Sequence, residues 1–171
     1  KPQATIASST SSFAWSQLTE GMKDAASRLI VSHPFNPPHL VPPVELYGTD
    51  AGRVAQASAS YEAMGKVTIR MKREAPGHVA NRLASALYRE AVNIVAEGIA
   101  DVADVDTALV EGPGLRWSIQ GAHMTYHLGG GDGGYRHYLD HLGPSQEKRW
   151  ASLGQPSLTS EVKDRLVRGV D

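Results

Sequence analysis

The sequence predicts an α/β part followed by an all-helical part. Three observations carry that prediction. Short β-favouring runs alternate with helical stretches as far as Met71. After Met71 no such run appears, and apolar residues recur near helical spacing instead. Pro76-Gly77 marks the changeover. Alternation of this kind implies a mostly parallel sheet. The boundary falls near Glu74, dividing residues 1–74 from residues 75–171.

Each element has a local reason. Ala4 to Ser8 is a short apolar strand that runs into Ser8-Ser9-Thr10-Ser11-Ser12. Phe13 to Met22 reads as a short helix with Ser12 as a candidate N-cap. Arg28 to Ser32 is a second, buried strand ended by His33-Pro34. Four prolines between Phe35 and Pro43 forbid a helix and favour a stiff extended loop. Val44 to Tyr47 is a third strand, and Gly48-Thr49-Asp50 turns the chain. Thr49 or Asp50 caps a helix reaching about Met64, and Gly65 stops it. Lys66 to Met71 is a fourth strand. Pro76 suits the first turn of a long helix carrying Val79, Leu83, Leu87, Ile94 and Val95, which Gly98 ends. Asp101 with Asp104 starts a helix that Gly112-Pro113-Gly114 terminates. Leu115 to Leu128, Tyr135 to Leu142 and Ser160 to Val167 read as further helices. Gly129 to Gly134 between them reads as a flexible run.

Composition narrows the function. Of 171 residues, 41% are hydrophobic and 20% charged, an ordinary globular balance. Lys plus Arg is 17 against 18 Asp plus Glu, which argues against a nucleic-acid binder. With no cysteine, disulfides, thiolate metal sites and a cysteine nucleophile are excluded. That is compatible with a cytoplasmic protein. No apolar run is long enough to cross a bilayer, so no membrane role is expected. The opening at Lys1, close to a strand, reads as a chain entered midway.

Four patterns are candidates for chemistry: SSTSSF from Ser8, SHPFNPPHLVPPVE from Ser32, PGHVANRL from Pro76 and GPGLRW from Gly112. Singly, each has a plain structural reading as a polar turn, a loop histidine or a solvated helix face. Together they say more. Ligands of open parallel sheets sit beyond the carboxyl ends of strands. Ser11 follows the first strand and His33 the second, so both project toward one crevice. Glu45 opens the third strand after a stiff loop that returns it beside His33. A carboxylate bonded to one imidazole nitrogen sets the tautomer and favours the protonated ring. That is how a general base for an alcohol proton is built.

In this order, SSTSS, HPFNPP, PVE and PGHVANR resemble the 3-hydroxyacyl-CoA dehydrogenase superfamily over nearly the whole chain, and the interval of twelve from His33 to Glu45 matches too. The resemblance implies a Rossmann-like domain, then a helical domain that forms a homodimer, with NAD as cofactor. It implies His33 as catalytic acid/base and Glu45 as its orienting partner. Ser11 would touch the substrate oxygen and lie near the nicotinamide, Asn36 would lie near the nicotinamide, and Asn81 would bond the substrate at the reacting carbon. The family's opening strand, G-x-G-x-x-G turn and helix are not found in this sequence. Gly129 to Gly134 follows no strand and is rejected as a phosphate cradle. About 100 upstream residues would be needed for a mononucleotide-binding half.

The stretch from GPGLRW through Thr125-Tyr126-His127-Leu128 to His137-Tyr138-Leu139-Asp140-His141 resembles the branch that oxidises L-carnitine, with the gulonate-oxidising, lambda-crystallin branch next. A trimethylammonium group prefers aromatic faces. Trp117, Tyr126, Tyr135 and Tyr138 are candidate rings, each with a plain reading as a core or dimer-interface aromatic that carries more weight for any single one. Arg116 is a candidate for the substrate carboxylate, or a surface ion-pair former. Two other classes stay open. His123 with His127 and His137 with His141 have zinc-ligand spacing. A non-catalytic fragment would expose an apolar sheet edge.

Overall fold

The computed structural model describes residues 3–170. Lys1, on which the reading of a chain entered midway rests, lies outside them. The chain divides into two compact units, one reaching Ser85 and one beginning at Ala86.

In the first unit the described residues form a four-stranded sheet in the order β1 (Ile6–Ser8), β2 (Leu29–Pro34), β3 (Pro43–Tyr47), β4 (Val67–Arg70). β1 runs parallel to β2, and β3 parallel to β4. The sheet is mostly parallel, as expected, with one antiparallel pair, β2 with β3. The proline loop is too short for a crossover helix and long enough for a hairpin, so β3 must return beside β2. His33 accordingly lies within β2 rather than after it.

The two central strands carry the core. Ile30, Val31, Val44 and Leu46 are each at most 1% exposed, and burying a side chain of this size contributes about 1.5–3 kcal/mol. Ile6 on β1 and Val67 on β4 are exposed at the sheet's edges. Gly48, just past β3, has no room for a side chain, since a Cβ there would stand 2.9 Å from Ile30 Cγ2.

Helix α1 spans only Trp15–Thr19, shorter than the expected Phe13 to Met22. Ser12 is not its cap. Gln17 Oε1 accepts from the Ala14 N–H at 2.8 Å. Thr10 Oγ1 takes the Ser12 and Phe13 N–H groups at 3.2 and 3.0 Å, spending them in a turn before the helix starts. Trp15 anchors α1 to the sheet by donating Nε1–H to Leu29 O at 2.8 Å. Of the two candidate caps for α2 (Ala51–Ala63), Asp50 is the one used, its carboxylate accepting from Arg53 N.

Helix α2 is tied to β4 through a polar knot. Ser58, fully buried, and Thr68 both donate to Glu62 Oε1, at 2.8 and 2.6 Å. The Thr68 bond first, then the Ser58 bond, holds the Glu62 carboxyl below the ordinary carboxylate range. A depressed carboxyl contributes stability above its unfolded pKa and loses it as pH falls through the folded one. Glu62→Gln is therefore expected to be less stable than the parent near neutral pH, with the gap closing on acidification. Glu62 is exposed, so the gap is small. Urea unfolding at neutral and acidic pH reads it, and a gap that widens in acid contradicts it.

The long helix α3 (Ala80–Ala96) begins four residues after Pro76, not at it. Gly77 and His78 both adopt left-handed backbone, at φ 74° and 50°, which no right-handed helix accommodates. In the second unit Val92 and Val95 of α3 are buried. Arg165, on α8 (Ser160–Val170), donates to Val95 O and Ala96 O at 3.0 and 3.1 Å and so closes α3's carboxyl end. Asp101 caps α4 (Val102–Leu109), its carboxylate accepting from Asp104 N.

The expected helix from Leu115 to Leu128 is broken in two. α5 is Leu115–Trp117 and α6 is Ala122–Gly129, because Gly121 adopts extended backbone between them. Gly129 to Gly134 closes into a tight turn with Gly131 and Gly134 at φ 58°. α7 runs Gly134–Ser152, straight through Pro144. Proline removes one N–H without forbidding the helix from continuing. No helix of the described residues is long and apolar enough to cross a membrane.

Candidate active site

The hairpin explains the twelve-residue interval. His33 and Glu45 are register partners across β2 and β3, and such partners present their side chains on one face, with Cβ atoms about 4.5–5.5 Å apart. His33 Nδ1 lies 2.9 Å from Glu45 Oε2, with the residues 5% and 1% exposed. The other carboxylate oxygen, Oε1, accepts from Val79 N at 2.7 Å and Ala80 N at 2.8 Å. Glu45 thus joins three elements: β3, β2 through the imidazole, and the first N–H groups of α3. Burying a carboxylate is costly unless its oxygens find donors, and both of these do. The amino end of α3 adds favourable dipole charge.

A carboxylate only accepts, so His33 Nδ1 donates its proton to Glu45. The imidazole is then held with Nε2 as its free acceptor, the arrangement a general base requires. Phe35 packs edge-on against the His33 ring with centroids 6.4 Å apart.

The remaining candidates are placed as follows. Ser11 is exposed in the loop after β1, its Oγ 3.4 Å from that of Ser12. Asn36 is exposed just beyond β2. Asn81 is half-buried in the first turn of α3, one residue after the N–H groups that hold Glu45. In the second unit, Arg116 and Trp117 are exposed on α5, and Tyr126 of α6 stacks on Tyr138 of α7 with centroids 4.7 Å apart. Tyr135 lies 6.4 Å from Tyr138. Among the described residues no three histidine or carboxylate side chains come together to hold a metal. His123 bonds the Tyr135 hydroxyl, and His127 accepts from Tyr135 N.

One buried residue escaped the sequence reading. His78 is 2% exposed, its Nε2 3.0 Å from Thr10 O and its ring centroid 5.0 Å from that of His33. Its only signal was a histidine directly after Pro-Gly, a place where a turn redirects a side chain inward.

Ser11 and Asn36 are exposed polar residues beyond the carboxyl ends of β1 and β2, with a hydroxyl and an amide open to a polar ligand group. The glycine run does not fit the phosphate end of a dinucleotide. A Cβ on Gly133 would stand 2.5 Å from His137 Cβ, so that backbone is already covered.

Compared with known proteins, residues 1–75 match the family described as 3-hydroxyacyl-CoA dehydrogenase, NAD binding domain. Residues 77–162 match 3-hydroxyacyl-CoA dehydrogenase, C-terminal domain. The chain is 49% identical to an L-carnitine dehydrogenase of Streptomyces coelicolor, over 99% of this chain and 54% of that relative. It is 40% identical to an L-carnitine dehydrogenase of Pseudomonas putida, over 99% and 53%. Among solved structures it is similar to a 5-formyl-3-hydroxy-2-methylpyridine 4-carboxylic acid 5-dehydrogenase, described as an NAD⁺-dependent dismutase, with TM-score 0.81 at 26% identity over 94% of this chain and 50% of that one. It is also similar to (S)-3-hydroxybutyryl-CoA dehydrogenase from Ralstonia eutropha, with TM-score 0.56 at 31% identity over 61% and 38%. The chain spans about half the length of the curated relatives it matches.

Proposed function

Since the chain belongs to the 3-hydroxyacyl-CoA dehydrogenase family, we propose that it serves the NAD-dependent oxidation of the 3-hydroxyl of a small 3-hydroxy acid, L-carnitine to 3-dehydrocarnitine. The observation that carries the reaction class is the buried His33–Glu45 pair at 2.9 Å. The substrate rests on relatives named L-carnitine dehydrogenase at 40–49% identity.

In this reading His33 Nε2 takes the hydroxyl proton. Glu45, held by Val79 and Ala80, faces the imidazolium that forms and offsets its charge. Ser11 and Asn81 orient the oxygen, which lowers the entropic part of the barrier. Asn36 with Ser11 receives the nicotinamide end of the cofactor. NAD⁺, when bound, supplies the hydride acceptor. In the reverse direction the protonated His33 returns its proton. The functional boundary stays near Glu74, with cytoplasmic placement and a homodimer through the helical part. Apolar side chains left open there, Tyr88, Val110, Leu115 and Ile119 among them, support the dimer.

The full-length polypeptide is to be assayed with NAD⁺ against L-carnitine, L-gulonate and (S)-3-hydroxybutyryl-CoA, with its mass in solution measured by light scattering. Carnitine is expected to give the highest kcat/KM, and the mass to be that of two chains. A preference for gulonate or the CoA thioester moves the substrate to that compound. Absence of turnover on all three rejects the reading.

A further inference from the structure

We infer that His78 is a positioning residue, one imidazole that sets the serine-rich loop against the proton-transfer pair; this rests on the dehydrogenase reading above. Its place in the fold is unusual. A non-glycine residue with φ 50° sits in a backbone region that disfavours L-residues. Here that geometry follows directly on Gly77 at φ 74°, and the double left-handed step turns the side chain inward, where it is 2% exposed.

The ring makes two contacts that no other side chain combines among the described residues. Its Nε2 is 3.0 Å from Thr10 O. A carbonyl only accepts, so Nε2 carries the proton and donates it. Its face lies against His33, with centroids 5.0 Å apart and planes at 45°. Thr10 is held from its other side as well, since its hydroxyl accepts from Ser12 N and Phe13 N. Ser11, the residue between, has its backbone pinned while its own hydroxyl stays exposed. A second tether, Ser16 N donating to Glu74 Oε2 at 2.8 Å, fixes α1, which follows the loop, to the segment before His78. His78 also follows Ala75 in a closed turn, its N–H bonded to Ala75 O at 3.0 Å, and immediately precedes the Val79 and Ala80 amides that hold Glu45. The distance from the serine hydroxyl to the His33 imidazole is thereby set through one ring.

The test compares His78→Phe and His78→Gln in the full-length polypeptide. Phenylalanine keeps a ring beside His33 and loses the donor. Glutamine keeps a donor and loses the ring. His78→Phe is expected to lower kcat for the hydroxy acid about 10- to 100-fold, the scale of a small misplacement at a reacting centre. His78→Gln, which restores a donor to Thr10 O, recovers part of the loss. Imidazole nitrogen–proton correlation spectra of the unmodified protein are expected to show His78 as the Nε2–H tautomer. Parental kcat in His78→Phe, or an Nδ1–H tautomer, overturns the inference, and the spectrum decides even where the variants fail to fold. Loss of turnover in His33→Gln with parental turnover in His78→Phe removes this inference alone. Full turnover in His33→Gln removes the dehydrogenase reading with it.

Discussion

His33→Gln is expected to lower kcat about 10²–10⁴-fold, the usual contribution of a positioned general base. The structure says why this variant isolates the chemistry. Residue 33 is 5% exposed on a central strand, so a charged or much larger replacement would disturb the core. A glutamine amide can donate to Glu45 Oε2 in place of Nδ1 and leave the carboxylate satisfied. It has no nitrogen able to accept a proton from the substrate. Stopped-flow measurement of NADH formation, alongside fluorescence titration of dinucleotide binding, separates the two effects. Unimpaired turnover in a folded His33→Gln protein assigns the base elsewhere.

Glu45→Gln is expected to lower kcat by about 10³–10⁴-fold, the scale seen when a base is held in the wrong tautomer. The carboxylate accepts on both sides, from His33 and from Val79 and Ala80. In the amide, the oxygen must stay toward the two backbone N–H groups, since an NH₂ there would meet two donors head-on. The amide nitrogen then faces His33 and forces Nδ1 to accept, which moves the imidazole proton to Nε2 and blocks the base. Glu45→Ala goes further. It leaves two amides and an imidazole without their partner, and removing one side of a buried charged contact costs about 3–5 kcal/mol. Urea unfolding measures that loss, and nitrogen–proton spectra of Glu45→Gln report the tautomer directly. A His33 that keeps its proton on Nδ1 in Glu45→Gln, with turnover intact, would contradict the whole arrangement.

The two residues at the centre were legible because chemistry constrains their type and their spacing. A histidine ending an apolar run and a glutamate opening another, twelve apart across five prolines, leave few geometries. The sense of the returning strand was carried by the length of the proline loop, too short for a crossover, rather than by the alternating pattern, which reads as parallel. Helix ends were misread where long-range bonds intervene. Thr10 takes the Ser12 and Phe13 amides into a turn and Gln17 takes the Ala14 amide, so α1 starts later than Ser12 would set it, and the left-handed Gly77-His78 step delays α3 past Pro76. Leu115 to Leu128 looked continuous because Gly121 is tolerated in either conformation by sequence rules alone.

By itself, the amino-acid order determined the two-part architecture, the elements of the sheet and the identities of the pair at 33 and 45, because periodicity and residue chemistry are local properties. The tertiary structure alone decided the antiparallel register that sets His33 opposite Glu45, that the amides of Val79 and Ala80 complete the Glu45 carboxylate, and that His78 lies beneath the serine loop. Those three facts join residues 34 to 68 positions apart or depend on strand sense. Contacts at such separation form only when burial of the whole unit offsets the entropy of ordering the chain between them, which no local pattern encodes.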